Sequence, residues 1–292
     1  PNGILWTHRG DVWSQTRKPW PKEFDEWTHW RHGADGNMVS HDMAVGTPTE
    51  PIVFTGTGDD PGWWNGIHVR SGGSATFDFV ALSCGGYWDN VGLLKSGTGS
   101  LVLTNSVIHD ITGDGLRVSA GSSSFTSGTN LFSNCNYGVH LGIGSSFADP
   151  TSDFEANNVD VFVDGGTLGD AVTWRLKPDY SMYLSGSLTV AATGSLEIGA
   201  GTVLKIAQYA GIWVEGLLQA HGTPGALVHV TDWRDDTAGG DANGDGDATE
   251  PAPGWWNQPC VRGSGSASLA WCRVAYGGYW DGLGLLKTGS AF

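Results

Sequence analysis

Downstream of Thr231 the sequence sets Asp241, Asn243, Asp245 and Asp247 on alternate positions, with Gly244 and Gly246 between them and Glu250 close behind. Carboxylate and amide oxygens spaced this way, with glycines that permit tight turns, wrap a hard cation of calcium's size. An EF-hand loop would carry a bidentate Glu at its twelfth position. Counting from Asp241, Glu250 is tenth and Ala252 twelfth, and Pro251 and Pro253 block a following helix. The run reads as a non-helical Ca2+ loop within an insertion at 232–252, with Asp235 or Asp236 as a further ligand. Its role would be to order the insertion. A solvated acidic turn is the plainer alternative, but so many neighbouring carboxylates repel one another without a cation.

Aromatic pairs form the second constellation: Trp63-Trp64, Tyr87-Trp88, Trp255-Trp256 and Tyr279-Trp280, all beside glycines. Flat exposed rings suit the C–H faces of sugars, so these eight residues are candidate glycan contacts. The competing reading packs them over neighbouring turns as structural plugs. A third group, His68, Arg117 and His140 with Arg70 and Lys95 nearby, reads as an outward basic stripe. Lys95, Arg117 and His140 are its first suspects for proton abstraction on an acidic polysaccharide, although solvated surface residues are the simpler account. The calcium loop lies several turns away from this stripe. No nucleophile elbow, phosphate loop or zinc signature occurs, so no catalytic residue is assigned. Cys84, Cys135, Cys260 and Cys272 show no metal spacing. Cys260 and Cys272 are near enough in sequence to bridge, but buried free thiols are the favoured reading.

These residues are positioned by a repeat. Residues 61–100 return as 253–292 at a constant offset of 192 (253 − 61), and 20 of the 40 aligned positions are identical. Gly46-Thr47-Pro48 returns as Gly222-Thr223-Pro224, so the doubling begins earlier and is broken by the insertion. A shorter motif of glycine followed by alternating apolar residues starts at Gly66, Gly92, Gly115 and Gly138, then continues at Asp160 and reappears at Gly211. The first spacings are 26, 23, 23 and 22 residues (92 − 66, 115 − 92, 138 − 115, 160 − 138). Short alternating strands at this period predict a parallel β-solenoid of roughly ten turns from 46 to 292. Asn136 and Asn158 are placed to stack as an asparagine ladder.

Residues 179–256 resemble the right-handed parallel β-helix repeat regions of large secreted bacterial proteins. The resemblance is carried by Ser185-Gly186-Ser187-Leu188-Thr189-Val190, Gly194 to Val203 and Val214 to Pro224. It implies an all-β, right-handed parallel β-helix, extracellular or cell-surface placement, and a scaffold role. Residues 1–45 differ, being rich in Trp and His and reading as an irregular cap or linker. Within them, residues 25–37 resemble a leader that precedes pyrroloquinoline-quinone-like β-propellers, without implying quinone chemistry.

Charged residues make up only 15% of the chain, and glycine numbers 46, which favours strand and turn over long surface helices. The net charge of −15 argues against nucleic acid as a partner. No apolar run approaches twenty residues, so no helical membrane span is expected. The expectation is a secreted, non-catalytic, calcium-stabilised scaffold that binds glycan. The alternative is a polysaccharide lyase or hydrolase of the same fold. The second block stops inside a turn, at Phe292, which suggests an excerpt or head-to-tail stacking of copies into a filament.

Overall fold

The computed structural model describes residues 4–9, 12–17, 51–58, 60–121 and 125–288. Two units separate, Pro1–Glu50 and Pro51–Phe292. In the first, Ile4–Arg9 and Val12–Arg17 pair as an antiparallel hairpin within the segment expected to be irregular. Two β-prone runs flanking Gly10-Asp11 are the sequence signal for it. Residues 25–37 lie outside the described residues.

The second unit is an all-β parallel solenoid of about ten turns, with no helix among the described residues. Its long sheet runs from Ile52–Phe54 to Cys272–Val274 through nine successive strands, with three more paired alongside. In the early turns a short sheet of Ala75–Asp78, Leu101–Thr104 and Phe125–Gly128 lies on another side. In the later turns two five-stranded sheets complete the cross-section. The second sheet holds Phe147–Asp149, Ala171–Leu176, Ser195–Gly199, Leu217–His221 and Ser266–Ala270. The third holds Gly166–Leu168, Leu188–Val190, Ile212–Val214, Pro259–Val261 and Leu286–Lys287.

The spacing read from the glycine motif is the register of the ladder. Ile67 pairs with Leu93, Leu93 with Leu116, Leu116 with Val139 and Val139 with Val161. Alternate residues point inward, so Leu93, Leu116, Val139 and Val161 are all buried in one column of like side chains. The corner before this column needs a left-handed residue in each turn. Cys84, Asp110, Asn134 and Ala156 occupy it, with φ between 51° and 58°. None is glycine, and each costs on the order of 1 kcal/mol, which the stacked turns on either side outweigh. Buried corners are satisfied by side chains. Ser106 Oγ accepts from Val80 N, Asn130 Oδ1 from Ser106 N and Ser152 Oγ from Asn130 N. Asn158 Nδ2 donates to Asn136 Oδ1 at 2.9 Å, forming the expected asparagine stack.

One turn breaks the pattern. Residues 153–176 contain four strands: Asp153–Glu155, Val159–Val163, Gly166–Leu168 and Ala171–Leu176. Asp153–Glu155 pairs only with the preceding turn, and Lys177 and Tyr180 close over it through Asp153 and Phe154. Gly166–Leu168 then founds the third sheet. As a result the two copies of the duplicated block sit differently. Ile67–Val69 lies in the long sheet, whereas its counterpart Pro259–Val261 lies in the third. Gly211-Ile212-Trp213-Val214 likewise belongs to the third sheet, although its motif matches the long-sheet series.

All four cysteines are free, and burial pushes the Cys135 thiol up to about 12. The inward column should dominate stability. Phe132 is fully buried and stacks on Phe154 one turn away, with ring centroids 5.3 Å apart. Phe132→Ala is expected to cost about 3–5 kcal/mol in urea unfolding, whereas Trp88→Ala at the surface should cost under about 0.5 kcal/mol.

Candidate functional site

The duplicated block folds the same way twice. Trp64 Nε1 donates to the Ser83 carbonyl at 2.8 Å, and Trp256 Nε1 to the Ala275 carbonyl at 2.9 Å. Gly62 N donates to Gly85 O and Gly254 N to Gly277 O, both at 3.1 Å. Tyr87 N donates to Trp64 O and Tyr279 N to Trp256 O. These bonds sort the eight aromatic residues. Trp256 is 0% exposed and Trp64 packs against the core, so both rings build the turn. Trp255 is half-buried, with the Arg234 guanidinium 3.6 Å from its ring centroid. Trp63 is exposed and leans on Gly56 and Gly58. The second pair in each copy stands at the surface. Trp88 and Trp280 are each 74% exposed, edge-on to Tyr87 and Tyr279 at 5.3 and 6.0 Å.

In each copy an aspartate follows the exposed tryptophan, and an arginine follows the block's first strand, Arg70 after Ile67–Val69 and Arg262 after Pro259–Val261. In the first copy Asp89 accepts from Arg70 Nη2 at 3.4 Å, with His68 Nε2 at 3.6 Å. In the second copy Asp281 accepts from Gln258 Nε2 at 3.2 Å. Arg262 instead lies over Trp213, 4.0 Å from the ring centroid. Trp280, Asp281, Arg262, Trp213, Tyr209 and Gln258 surround a cleft of about 450 Å³. Tyr209 tilts against Tyr279 at 4.5 Å and forms one wall. Trp213 and Tyr209 were invisible as site residues in the sequence, because separate turns bring them to the cleft. The recurrent Trp-Asp step and the Arg that follows each first strand are the sequence signals for Trp280, Asp281 and Arg262.

The acidic insertion gathers part of the expected ligand set. Asp236, Asp241 and Asp245 bring carboxylate oxygens within 4.8 Å of one another. Asp236 Oδ1, Asn243 Oδ1 and Asp245 Oδ1 are buried without a hydrogen-bond partner. Asp241 caps the loop by accepting from Gly244 N and Gly246 N, both at 2.8 Å. Asp247 and Glu250 are exposed and stand outside this group. Asp235 is engaged by the Thr231 and Thr237 hydroxyls, so Asp236 is the additional carboxylate. Fully buried Lys205 reaches in from beneath, donating to Gly240 O with Asp236 Oδ1 3.9 Å away. Burial pulls its pKa down against the pull of Asp236, Asp235, Asp241 and Asp160. Its charge offsets part of the carboxylate repulsion that the sequence left uncompensated.

The basic stripe is not a stripe. The outward column reads His68, Leu94, Arg117, His140, Phe162 and Tyr183 across successive turns. Lys95 is fully buried and donates to the Gly97 carbonyl, so it is not presented on that face. Arg117 and His140 are neighbours in register, and both bind the buried carboxylate of Asp114. Arg117 Nε donates to Asp114 Oδ2 at 2.5 Å, and His140 Nδ1 lies 2.8 Å from the same oxygen. His140 Nε2 is 3.2 Å from Asp164 Oδ1, one turn further on. A groove of about 380 Å³ opens beside Arg117, His140 and Asp164.

Burial alone would depress the His140 pKa, but the Asp114 and Asp164 carboxylates outweigh it and hold the imidazole above its ordinary value. A histidine pKa raised on folding adds stability that is full below about pH 6.5 and lost as pH rises through the folded value. Wild-type protein should therefore lose stability as pH rises above about 6.5. His140→Gln should flatten that slope, measured by urea unfolding at fixed ionic strength. Comparison with known proteins finds no matching family model, no matching curated protein and no matching solved structure.

Proposed function

We propose that this chain is a non-catalytic extracellular or cell-surface β-helix scaffold that presents paired aromatic sites to glycans. The observation that carries the reading is the doubled Tyr-Trp step. The same backbone arrangement in both copies holds Trp88 and Trp280 in solvent at 74% exposure, each followed by an aspartate. Large rings held out by a rigid turn are costly to leave in water, and a sugar face covers them. Extracellular or cell-surface placement is part of the same proposal. End-to-end stacking of copies belongs to the same proposal, and sedimentation across a wide concentration range tests it. In native affinity gels, at least one soluble polysaccharide should retard the wild type. The double variant Trp88→Ala/Trp280→Ala should run with the unretarded control, and full retardation of the double variant would remove the proposal's basis.

Calcium completes the proposal. The donors gathered at Asp236, Asp241 and Asp245 are all carboxylate oxygens, and Asp236 Oδ1 and Asp245 Oδ1 lack a hydrogen-bond partner, which fits a hard dication. Bound there, calcium would supply positive charge that ties the insertion together. At a hundredfold excess over its dissociation constant, it should stabilise the fold by about 2.7 kcal/mol. Millimolar calcium should raise the melting temperature, chelator should reverse the rise, and Asp245→Asn should abolish it. Identical melting curves with calcium and with chelator would exclude the site.

A second reading is a β-helix polysaccharide lyase or hydrolase. The groove beside Arg117, His140 and Asp164 favours it, with His140 oriented by a buried carboxylate as a general base would be. Release of unsaturated product from acidic polysaccharides, lost in His140→Gln, would decide for it.

A further inference from the structure

The two copies of the block differ where a ligand would be recognised. In the second copy, Asn257 and Gln258 line the cleft and are only 3% and 1% exposed. Asn257 Nδ2 donates to the Tyr209 carbonyl at 2.8 Å, and Gln258 Nε2 donates to Asp281 Oδ2 at 3.2 Å. A carbonyl and a carboxylate can only accept, so both amides are fixed in orientation and the atoms left over are their oxygens. Neither Asn257 Oδ1 nor Gln258 Oε1 meets a donor in the protein. Buried acceptors without donors are rare because leaving them so is costly.

The first copy has no such wall. Gly66 stands at the Gln258 position with φ +84°, and a side chain there would run into the carbonyl oxygens of Val91 and Gly92. Asn65, at the Asn257 position, is exposed. The chemistry of the second cleft is therefore lopsided. The exposed Asp281 carboxylate is the acceptor a ligand can reach, Asn257 Oδ1 and Gln258 Oε1 are buried acceptors, and Arg262, lying along Trp213, is the cation beside them. A ligand that fits this cleft brings donors to Asp281 and a flat apolar face to Trp280. The volume of about 450 Å³ suits a small ligand or a short stretch of polymer.

We infer that the second copy is the selective site, taking a neutral, hydroxyl-rich sugar unit that stacks on Trp280 and donates to the Asp281 carboxylate, which Gln258 holds in place. This rests on the glycan reading above and narrows it. Acidic glycans are disfavoured by Asp281 and by the net charge of −15.

Native affinity gels cast with glucomannan, xyloglucan or laminarin, and with polygalacturonate or alginate, test the inference. The proteins are the wild type, Trp88→Ala, Trp280→Ala and Gln258→Leu. Retardation is expected from at least one neutral polymer, weakened tenfold or more by Trp280→Ala and by Gln258→Leu. Trp88→Ala should keep the order of preference among polymers. Trp280 is a surface ring, so its removal leaves the core intact, and melting curves confirm that Gln258→Leu is folded. Retention of neutral-polymer binding by both second-copy variants, with loss in Trp88→Ala, overturns the inference and leaves the glycan reading standing. Retardation by acidic polymers alone does the same. No retardation by any polymer overturns both.

Discussion

Every turn of this solenoid must lie in register on the one before it, because the strand hydrogen bonds and the inward side chains are shared between turns. A side chain pointing inward in one turn meets its equivalent about 4.8 Å away in the next. Columns such as Leu93, Leu116, Val139 and Val161 therefore form only if the period is respected, and a slip of one residue would turn the apolar set outward. The corners inherit the same constraint. A left-handed residue recurs at 84, 110, 134 and 156 because the long sheet must bend at the same place each time. Insertions are tolerated where they leave the cylinder, as between Thr231 and Pro253, and the ladder closes behind them: Val228 pairs with Cys272 as Ile52 pairs with Val80.

The fold was legible because the constraint is written into the chain as a period. Spacings of 22 to 26 residues between glycine motifs became pairings residue for residue, and the asparagine stack formed where two Asn stood one period apart. The change of cross-section at 153–176 was not legible. The motif at Gly211 looks like the others, and only pairing shows that it belongs to a different sheet. Local pattern specifies a strand, and the count of strands per turn decides which side that strand occupies.

Site residues were legible in type but not in company. The aromatic pairs could be found by eye, yet sequence could not separate Trp256, whose N–H ties down a carbonyl, from Trp280, whose ring stands in water. The acidic run was visible as alternating oxygens, but Lys205 lies 36 residues before Asp241 (241 − 205) and its approach from below follows from the turn beneath. His140 and Arg117 were correctly grouped, one period apart. Asp114, which joins them, escaped notice because a buried carboxylate in a strand carries no spacing signature.

The four-strand turn has a geometric consequence for the doubled block. From Ile67–Val69 to the turn that carries Pro259–Val261 there are seven steps, through Leu93, Leu116, Val139, Val161, Met182, Leu204 and Val230. At about 4.8 Å per step the copies are about 34 Å apart along the axis. They are also carried on different sheets, so they do not share one line down the cylinder. A chain running parallel to the axis would follow one line and meet one copy. Contact with both would need a chain that crosses the sheets obliquely, or a separate chain for each copy.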